Sequence, residues 1–320
     1  MSEVIGLVLP FFGLIFLGFL VARLTRQPSE ALGWMNTFIV YVALPALFFQ
    51  LLAKTPFEKL TEWNFILGSV FSTYVVFSLM FAASVILSRG EIAQSTIKAL
   101  AAAYGNIGYM GPGLALLAFG EQAAVPVALI FCFENIIHFA VAPMMMALSG
   151  GEKRPAPELI LDVIRKIVLH PFIIATAIGV AAAYFQFRPP LPAERLLVYL
   201  SNAAAPCALF AMGVTLALRP LNRVPAEMLP IALLKLIVHP LLCYVVLSAV
   251  GNFSPAWLFS AVLLAALPTA TNVFVIAQQY GVWVQRASAS VLITTCLSVF
   301  TVTGLLYLIR NGILPPDLFP

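Results

Sequence analysis

Residues 105–113 read GNIGYMGPG, and residues 268–272 read PTATN. Each interrupts an apolar stretch long enough to cross a bilayer, which takes about 20 residues of helix. A continuous helix satisfies its own backbone hydrogen bonds, and glycine and proline spoil that continuity. In hydrocarbon, broken backbone is tolerated only where protein packs around it or a polar cavity lies beside it. Two interrupted segments in corresponding positions of two halves point to a secondary transporter with its site near the midplane.

Composition sets the broad class. Of 320 residues, 62% are hydrophobic and only 9% charged, and the mean hydropathy is +1.02. A soluble domain carries about a quarter charged residues, so the expectation is an all-α polytopic membrane protein. The formal charge of +4 is small and forms no nucleic-acid patch. Cys132, Cys207, Cys243 and Cys296 all fall in apolar stretches, without CxxC or Cys/His metal spacing. They read as buried packing thiols, and neither a metal nor a cofactor is expected. No basic segment precedes the first apolar stretch, which reads as a membrane helix rather than a cleavable signal.

Ten spans can be drawn: 4–23, 33–52, 63–87, 95–119, 123–148, 164–185, 196–217, 226–249, 256–281 and 286–309. No soluble domain is inserted between them, and ten spans put both termini on one side. Lysine and arginine choose the side. Connections after odd-numbered spans hold Arg23, Arg26, Arg89, Lys98, Lys153, Arg154, Arg165, Lys166, Arg219, Arg223 and Arg286. The other side holds only Lys54, Lys59, Arg188, Arg195 and Arg310. The bias places the odd connections in the cytoplasm and both termini outside. Trp63, Trp257 and Trp283 lie near span ends, where interfacial anchors belong.

Five spans per half is an odd number, so homologous halves at 1–150 and 151–320 must lie inverted in the membrane. At a constant offset of 161 residues, Pro10 and Phe11 match Pro171 and Phe172, and Gly18 matches Gly179. Pro45 matches Pro206, Phe49 matches Phe210 and Gly120 matches Gly281. This register pairs the breaks in spans 4 and 9.

The second halves of those two spans begin near the midplane from opposite faces. A helix N-terminus offers unpaired N–H groups and about half a positive charge. Two such ends suit an anion, most simply a carboxylate. Pro112 suits the first turn of the restarted helix, where a missing N–H costs nothing. Gly111 and Gly113 allow close backbone approach. Asn106 and Asn272 supply both donors and acceptors. Gly108, Pro268, Thr269 and Thr271 complete the substrate-binding candidates at the breaks. The competing reading is structural: the glycines serve close helix packing and Pro268 is a kink.

The stretches VLPFFGLIFLGFLVAR, NTFIVYVALPALFFQLLA, GNIGYMGPGLALLAFG and LPTATNVFVIAQQYG together resemble the auxin efflux carrier family, over essentially the whole chain. The resemblance implies ten helices as a 5+5 inverted repeat, with spans 4 and 9 as crossing broken helices. That shape is related to bile-acid symporters and sodium/proton antiporters. It implies a scaffold of spans 1, 2, 6 and 7, a moving bundle of spans 3–5 and 8–10, and elevator-type alternating access. It also implies a homodimer that moves organic anions, with Asn106 and Asn272 on the crossover asparagines. Pro45 and Pro206 would kink spans 2 and 7 toward the bundle, although packing kinks explain them equally. The long cytoplasmic loop of plant members is missing.

Glu134 lies near the middle of span 5 and Lys235 near the middle of span 8. An intramembrane charge costs about 2.5–3.5 kcal/mol on insertion scales, so it usually faces a partner or a cavity. His138 follows Glu134 by four residues and His239 follows Lys235 by four, so each pair shares a helix face. In the fold that the resemblance implies, both spans sit in one bundle, which makes Glu134 a proton-coupling candidate opposite Lys235. The alternatives are a static ion pair or a snorkelling Lys235. His170 reads as a structural polar contact. Sodium coupling is the rival mechanism, with Asn106, Glu134, Asn135, Thr269, Thr271, Asn272 and Gln278 as oxygen donors.

The resulting expectation is a secondary active transporter of organic anions in a bacterial inner membrane. Malonate, malate, other short carboxylates and an auxin-like acid all suit the site. A sodium-coupled symporter is the alternative. A channel fits less well, because the chain offers no filter or charged ring. An enzyme is not expected, because neither HExxH nor a paired-aspartate motif is present.

Overall fold

The computed structural model describes residues 2–26, 28, 31–150, 155–218 and 226–319. Lys153, Arg154, Arg219 and Arg223, part of the expected charge bias, lie outside the described residues. The helices in chain order are α1 (Ser2–Thr25), α2 (Leu32–Phe38), α3 (Leu44–Ala53), α4 (Trp63–Leu87) and α5 (Ile92–Ala103). Then come α6 (Gly111–Phe119), α7 (Ala124–Leu148), α8 (Ala156–Val168), α9 (Pro171–Tyr184) and α10 (Leu191–Ala217). The last are α11 (Met228–Leu233), α12 (His239–Val250), α13 (Pro255–Ala265), α14 (Thr271–Tyr280) and α15 (Val284–Arg310). Among the described residues there is no strand, only an isolated antiparallel bridge between Gly105 and Thr269.

Among the described residues, seven helical stretches are long and apolar enough to cross a membrane, so this is an integral, polytopic helical membrane protein. The count is below ten for a local reason. The expected spans 95–119 and 256–281 each fall on two short helices, α5 with α6 and α13 with α14. The expected span 164–185 falls on the end of α8 and on α9, which has only 14 residues.

The chain forms two compact units. The first holds residues 1–63, 107–132 and 169–220, and the second holds 64–106, 133–168 and 221–320. In the first, α1 packs on α10, and α3 packs on both α9 and α10. Small residues set these crossings. A Cβ at Gly18 would collide with the Phe210 carbonyl, and one at Gly213 with the Ile15 carbonyl. At Gly179 a Cβ would lie 3.0 Å from Leu52 Cβ and 3.4 Å from Phe49 Cα. Without a hydrophobic force between lipid-immersed helices, such close backbone packing supplies the attraction. Phe48 stacks on Phe131 at 4.4 Å, and Phe172 meets Phe131 edge-on at 5.0 Å.

In the second unit α5 is buried from Ser95 to its end, apart from half-buried Lys98. Ala99, Ala101, Ala102 and Ala103 are all inaccessible, so neighbouring helices close in around it. Among the described residues, each unit also contains one π-helical turn directly ahead of a proline. Ile39–Ala43 precedes Pro45, and Leu234–Val238 precedes Pro240. Proline has no N–H for the carbonyl one turn earlier, and the widened turn absorbs that mismatch.

The four cysteines are unpaired. Cys132 and Cys243 are buried and Cys207 is half-buried, but Cys296 is exposed on α15. The buried-thiol reading therefore fails for Cys296. An apolar neighbourhood in sequence does not separate a lipid-facing helix side from a core-facing one.

Candidate functional site

The second unit contains the C-terminal ends of α5 and α13 and the N-terminal end of α14. The last carbonyls of a helix have no partner within it. Here the breaks supply partners for one another. The Asn106 N–H donates to the Pro268 carbonyl at 2.8 Å, and the Ala270 N–H donates to the Tyr104 carbonyl at 2.9 Å. Thr269 Oγ1 donates to the Ala101 carbonyl at 2.6 Å, and the Thr269 N–H donates to Thr294 Oγ1 on α15 at 3.0 Å. Lys235 Nζ donates to the Ala265 carbonyl at 2.5 Å. A Cβ on Gly105 would lie 3.2 Å from that same Nζ, so glycine makes room for the ammonium beside the break. Asn106 and Thr269 are buried, at 2% and 0% exposure.

The start of α14 is different. Its cap residue Ala270 is extended and no side chain caps the first turn. Thr271 opens the helix, half-buried, and Asn272 follows. One amide hydrogen of Asn272 is committed: Nδ2 donates to Tyr104 Oη at 2.9 Å. The Tyr104 hydroxyl donates in turn to Asn135 Oδ1 on α7. The Tyr104 ring stacks on His138 at 4.0 Å, and Tyr74 Oη meets His138 Nδ1 at 2.9 Å. Buried Asn135, His138 and Tyr104 and half-buried Asn272 thus form one cluster around the break. Gln278 lies away from such a cluster, exposed on α14.

The remaining substrate-binding candidates belong to the first unit. Gly111 and Pro112 are buried in the first turn of α6, the position that suits proline. A Cβ on Gly113 would lie 2.8 Å from Ala205 Cβ and Phe11 Cζ, and one on Gly108 would lie 3.0 Å from the Phe131 ring. These two glycines therefore have close packing neighbours within their own unit. Pro45 is half-buried in α3, behind its π turn, and Pro206 is exposed inside α10.

Glu134 and Lys235 are buried, at 4% and 0% exposure, and they make no direct ion pair. Two side chains connect them. Ser69 and Thr73 of α4 donate to Glu134 Oε1 at 3.0 and 2.9 Å. Thr73 Oγ1 also meets His239 Nε2 at 3.0 Å, and His239 Nδ1 meets Lys235 Nζ at 3.0 Å. His138 takes the Tyr74 and Tyr104 contacts instead of joining Glu134, and its Nε2 is buried without a hydrogen-bond partner. Thr73, Ser69, Tyr74 and Tyr104 were absent from the sequence reading. A signal existed: Ser69, Ser72 and Thr73 form a polar stripe at helical spacing in an otherwise apolar span.

At the end of α5's first turns, Glu227 gathers a second polar group. Its carboxylate meets Lys98 Nζ at 2.8 Å and Arg286 Nη1 at 2.6 Å, and accepts from Trp283 Nε1 at 3.3 Å. Burial opposes its charge, but the hydrogen bond and charge of Lys98, reinforced by Arg286, hold the carboxyl below its usual range.

A family model described as membrane transport protein matches residues 3–306. A Rhizobium meliloti protein named "Putative malonate transporter" is 65% identical over 320 residues, covering all of both chains. A Methanothermobacter thermautotrophicus protein named "Uncharacterized transporter" is 25% identical, over 91% of this chain and 94% of its own. The Escherichia coli K12 "Uncharacterized transporter YfdV" is 23% identical, over 96% of this chain and 98% of its own.

Proposed function

Since the chain belongs to the membrane transport protein family of auxin efflux carriers, we propose that it carries a short organic dianion, malonate in the first instance. It does so as a secondary active transporter. The observation that carries this reading is the start of α14, which no side chain caps, lying directly after a break where the Asn106, Thr269 and Ala270 N–H groups are already bonded. Free N–H groups at a helix N-terminus, with the dipole behind them, are a ready anion site. Asn272 has a second amide hydrogen beyond its Tyr104 bond, and Asn106 follows Gly105 of the bridge. In this reading a substrate carboxylate takes the α14 N–H groups, with Thr269, Thr271 and the two asparagines around it. The 65% identity to a protein named for malonate supports a three-carbon dicarboxylate over a bulky aromatic acid.

The architecture we propose is ten spans in a 5+5 inverted repeat. One set of contacts supports it. Gly18 packs against Phe210, and Gly179 packs against Phe49. Under the 161-residue offset these are the same pair, since 18 maps to 179 and 49 to 210. Spans 1, 2 and 7 and span 6 from residue 169 fall in the first compact unit and spans 3, 8, 9 and 10 in the second but for Trp63, while 4 and 5 are divided. A scaffold and a moving bundle, in elevator-type alternating access, suit such a division. A homodimer in a bacterial inner membrane, with both termini outside, completes the proposal.

Purified protein in liposomes, loaded with labelled malonate, tests it. Saturable uptake with counterflow is expected. Ohmic current without counterflow would make the protein a channel, and no malonate flux with robust flux of an indole acid would change the substrate class.

A further inference from the structure

The second unit buries a directional hydrogen-bond chain that no substrate contact requires. It begins at Lys235, which has no acceptor capacity when charged. Lys235 Nζ must donate to His239 Nδ1 at 3.0 Å. His239 is then neutral and carries its proton on Nε2, which donates to Thr73 Oγ1 at 3.0 Å. Thr73 has one hydroxyl proton, and it goes to Glu134 Oε1 at 2.9 Å. Every donor and acceptor role along Lys235, His239, Thr73 and Glu134 is consistent, and the four residues are between 0% and 4% exposed.

Lys235 also occupies a particular electrostatic position. Its ammonium bonds the Ala265 carbonyl, at the C-terminal end of α13, and lies against Gly105 just past the end of α5. The C-terminal ends of half-helices carry partial negative charge. Unwound carbonyls beside them are where a transporter of this kind binds a coupling metal cation. In this chain the lysine side chain holds that position.

We propose that Lys235, His239, Thr73 and Glu134 form the coupling element, and that the coupled ion is a proton carried by this chain rather than sodium. The step balances as follows. A proton leaves the Lys235 ammonium for His239 Nδ1 while the Nε2 proton passes to Thr73 Oγ1. The threonine proton passes to the Glu134 carboxylate, leaving an amine and a carboxylic acid. A proton then taken up from the aqueous phase restores the ammonium, so the loaded element carries one extra positive charge behind the break. That charge strengthens the anion site across a low dielectric, where Coulomb interactions are strong. Substrate and proton therefore load together. Ser69 holds the carboxylate from α4. The other titratable groups around the chain are His138 on α7, Tyr74 on α4, Tyr104 after α5 and Cys243 on α12.

The inference rests on the transport reading above, and the test separates the two. Liposomes carrying wild type, Thr73→Val, Thr73→Ser, His239→Gln and Glu134→Gln are compared. Uptake is driven by an imposed pH gradient or by a sodium gradient, and counterflow is measured at equal pH. Valine keeps the shape of threonine without its proton. Glutamine can keep both hydrogen bonds of His239 but relays no proton. Thr73→Val and His239→Gln should lose pH-driven uptake by about a hundredfold, the low end of what a positioned proton-transfer group supplies. Their counterflow should persist, and Thr73→Ser should recover the drive. Glu134→Gln should flatten the pH profile. Wild-type uptake driven by sodium, or unaltered pH drive in Thr73→Val, overturns the relay. Absence of counterflow in wild type overturns the malonate reading instead. A second readout needs no substrate: infrared difference spectra of purified protein should show the protonated Glu134 carboxyl appearing over a pH range that Thr73→Val displaces. A band that Thr73→Val leaves unmoved also overturns the relay.

Discussion

At the residue scale, Asn272 shows how a side chain can be half committed. One N–H holds Tyr104, which holds Asn135, so the amide is oriented before any ligand arrives. Preorganisation of this kind raises affinity by removing an ordering cost. A hydrogen bond to a charged group is worth about 1.5–3 kcal/mol, so Asn272→Ala and Asn106→Ala should each weaken malonate binding about tenfold or more. Serine or glutamine at position 272 should lose less. Calorimetric titration of purified variants, checked for monodispersity, decides the point. If both alanine variants bind with unaltered affinity, the asparagines only brace the break. Asn106 and Asn272 were legible because an amide beside a helix break has an obvious chemical use. Tyr104 was not legible, because one tyrosine among apolar neighbours looks like packing until its partners are known.

At the element scale, the break is a capping problem solved between elements. The last carbonyls of α5 and α13 are taken by Thr269, Ala270 and Lys235. The Gly105–Thr269 bridge locks the two broken segments together. The same logic operates where α11 begins, since Glu227 ties it to Lys98 of α5 and Arg286 of α15. The folded state holds this carboxyl below its usual range. Its contribution is therefore fully present above the unfolded value, about pH 4.3, and is lost as pH falls through the depressed folded value. Glu227→Gln should lower the thermal midpoint at neutral pH by about 2 °C, the scale of a partly exposed ion-pair group. The difference from wild type should close on acidification below that pH. A midpoint difference that stays constant down to strong acid would show that Glu227 acts through shape, not charge.

At the scale of the whole molecule, orientation is set by charge outside the spans, not by packing within them. The lysine and arginine bias predicts that cysteine labels at the termini and after even spans react with an impermeant reagent added outside. Labels replacing Lys153 or Arg223 should react only after permeabilisation. Cytoplasmic termini would reverse the inferred orientation while leaving the break chemistry intact.

Much was determined by sequence alone. Membrane class follows from composition, because hydrocarbon excludes unpaired charge wherever a span lies. The positions of the breaks follow from glycine and proline, whose effect on a helix is local. Glu134 and Lys235 stood out because an ionisable group in a span is costly anywhere in it. What only tertiary structure decided is who meets whom. Glu134 and Lys235 do not touch; Thr73 and His239 stand between them. Gly113 packs against Ala205 and Phe11, while Gly105 makes room for an ammonium, although both glycines belong to one motif. Cys296 is exposed and Cys243 buried, although both lie inside helices of apolar spans. Backbone preferences act over a few residues and can be read in order along the chain. Hydrogen-bond partnership depends on which helix faces meet, and residues distant in sequence supply those faces.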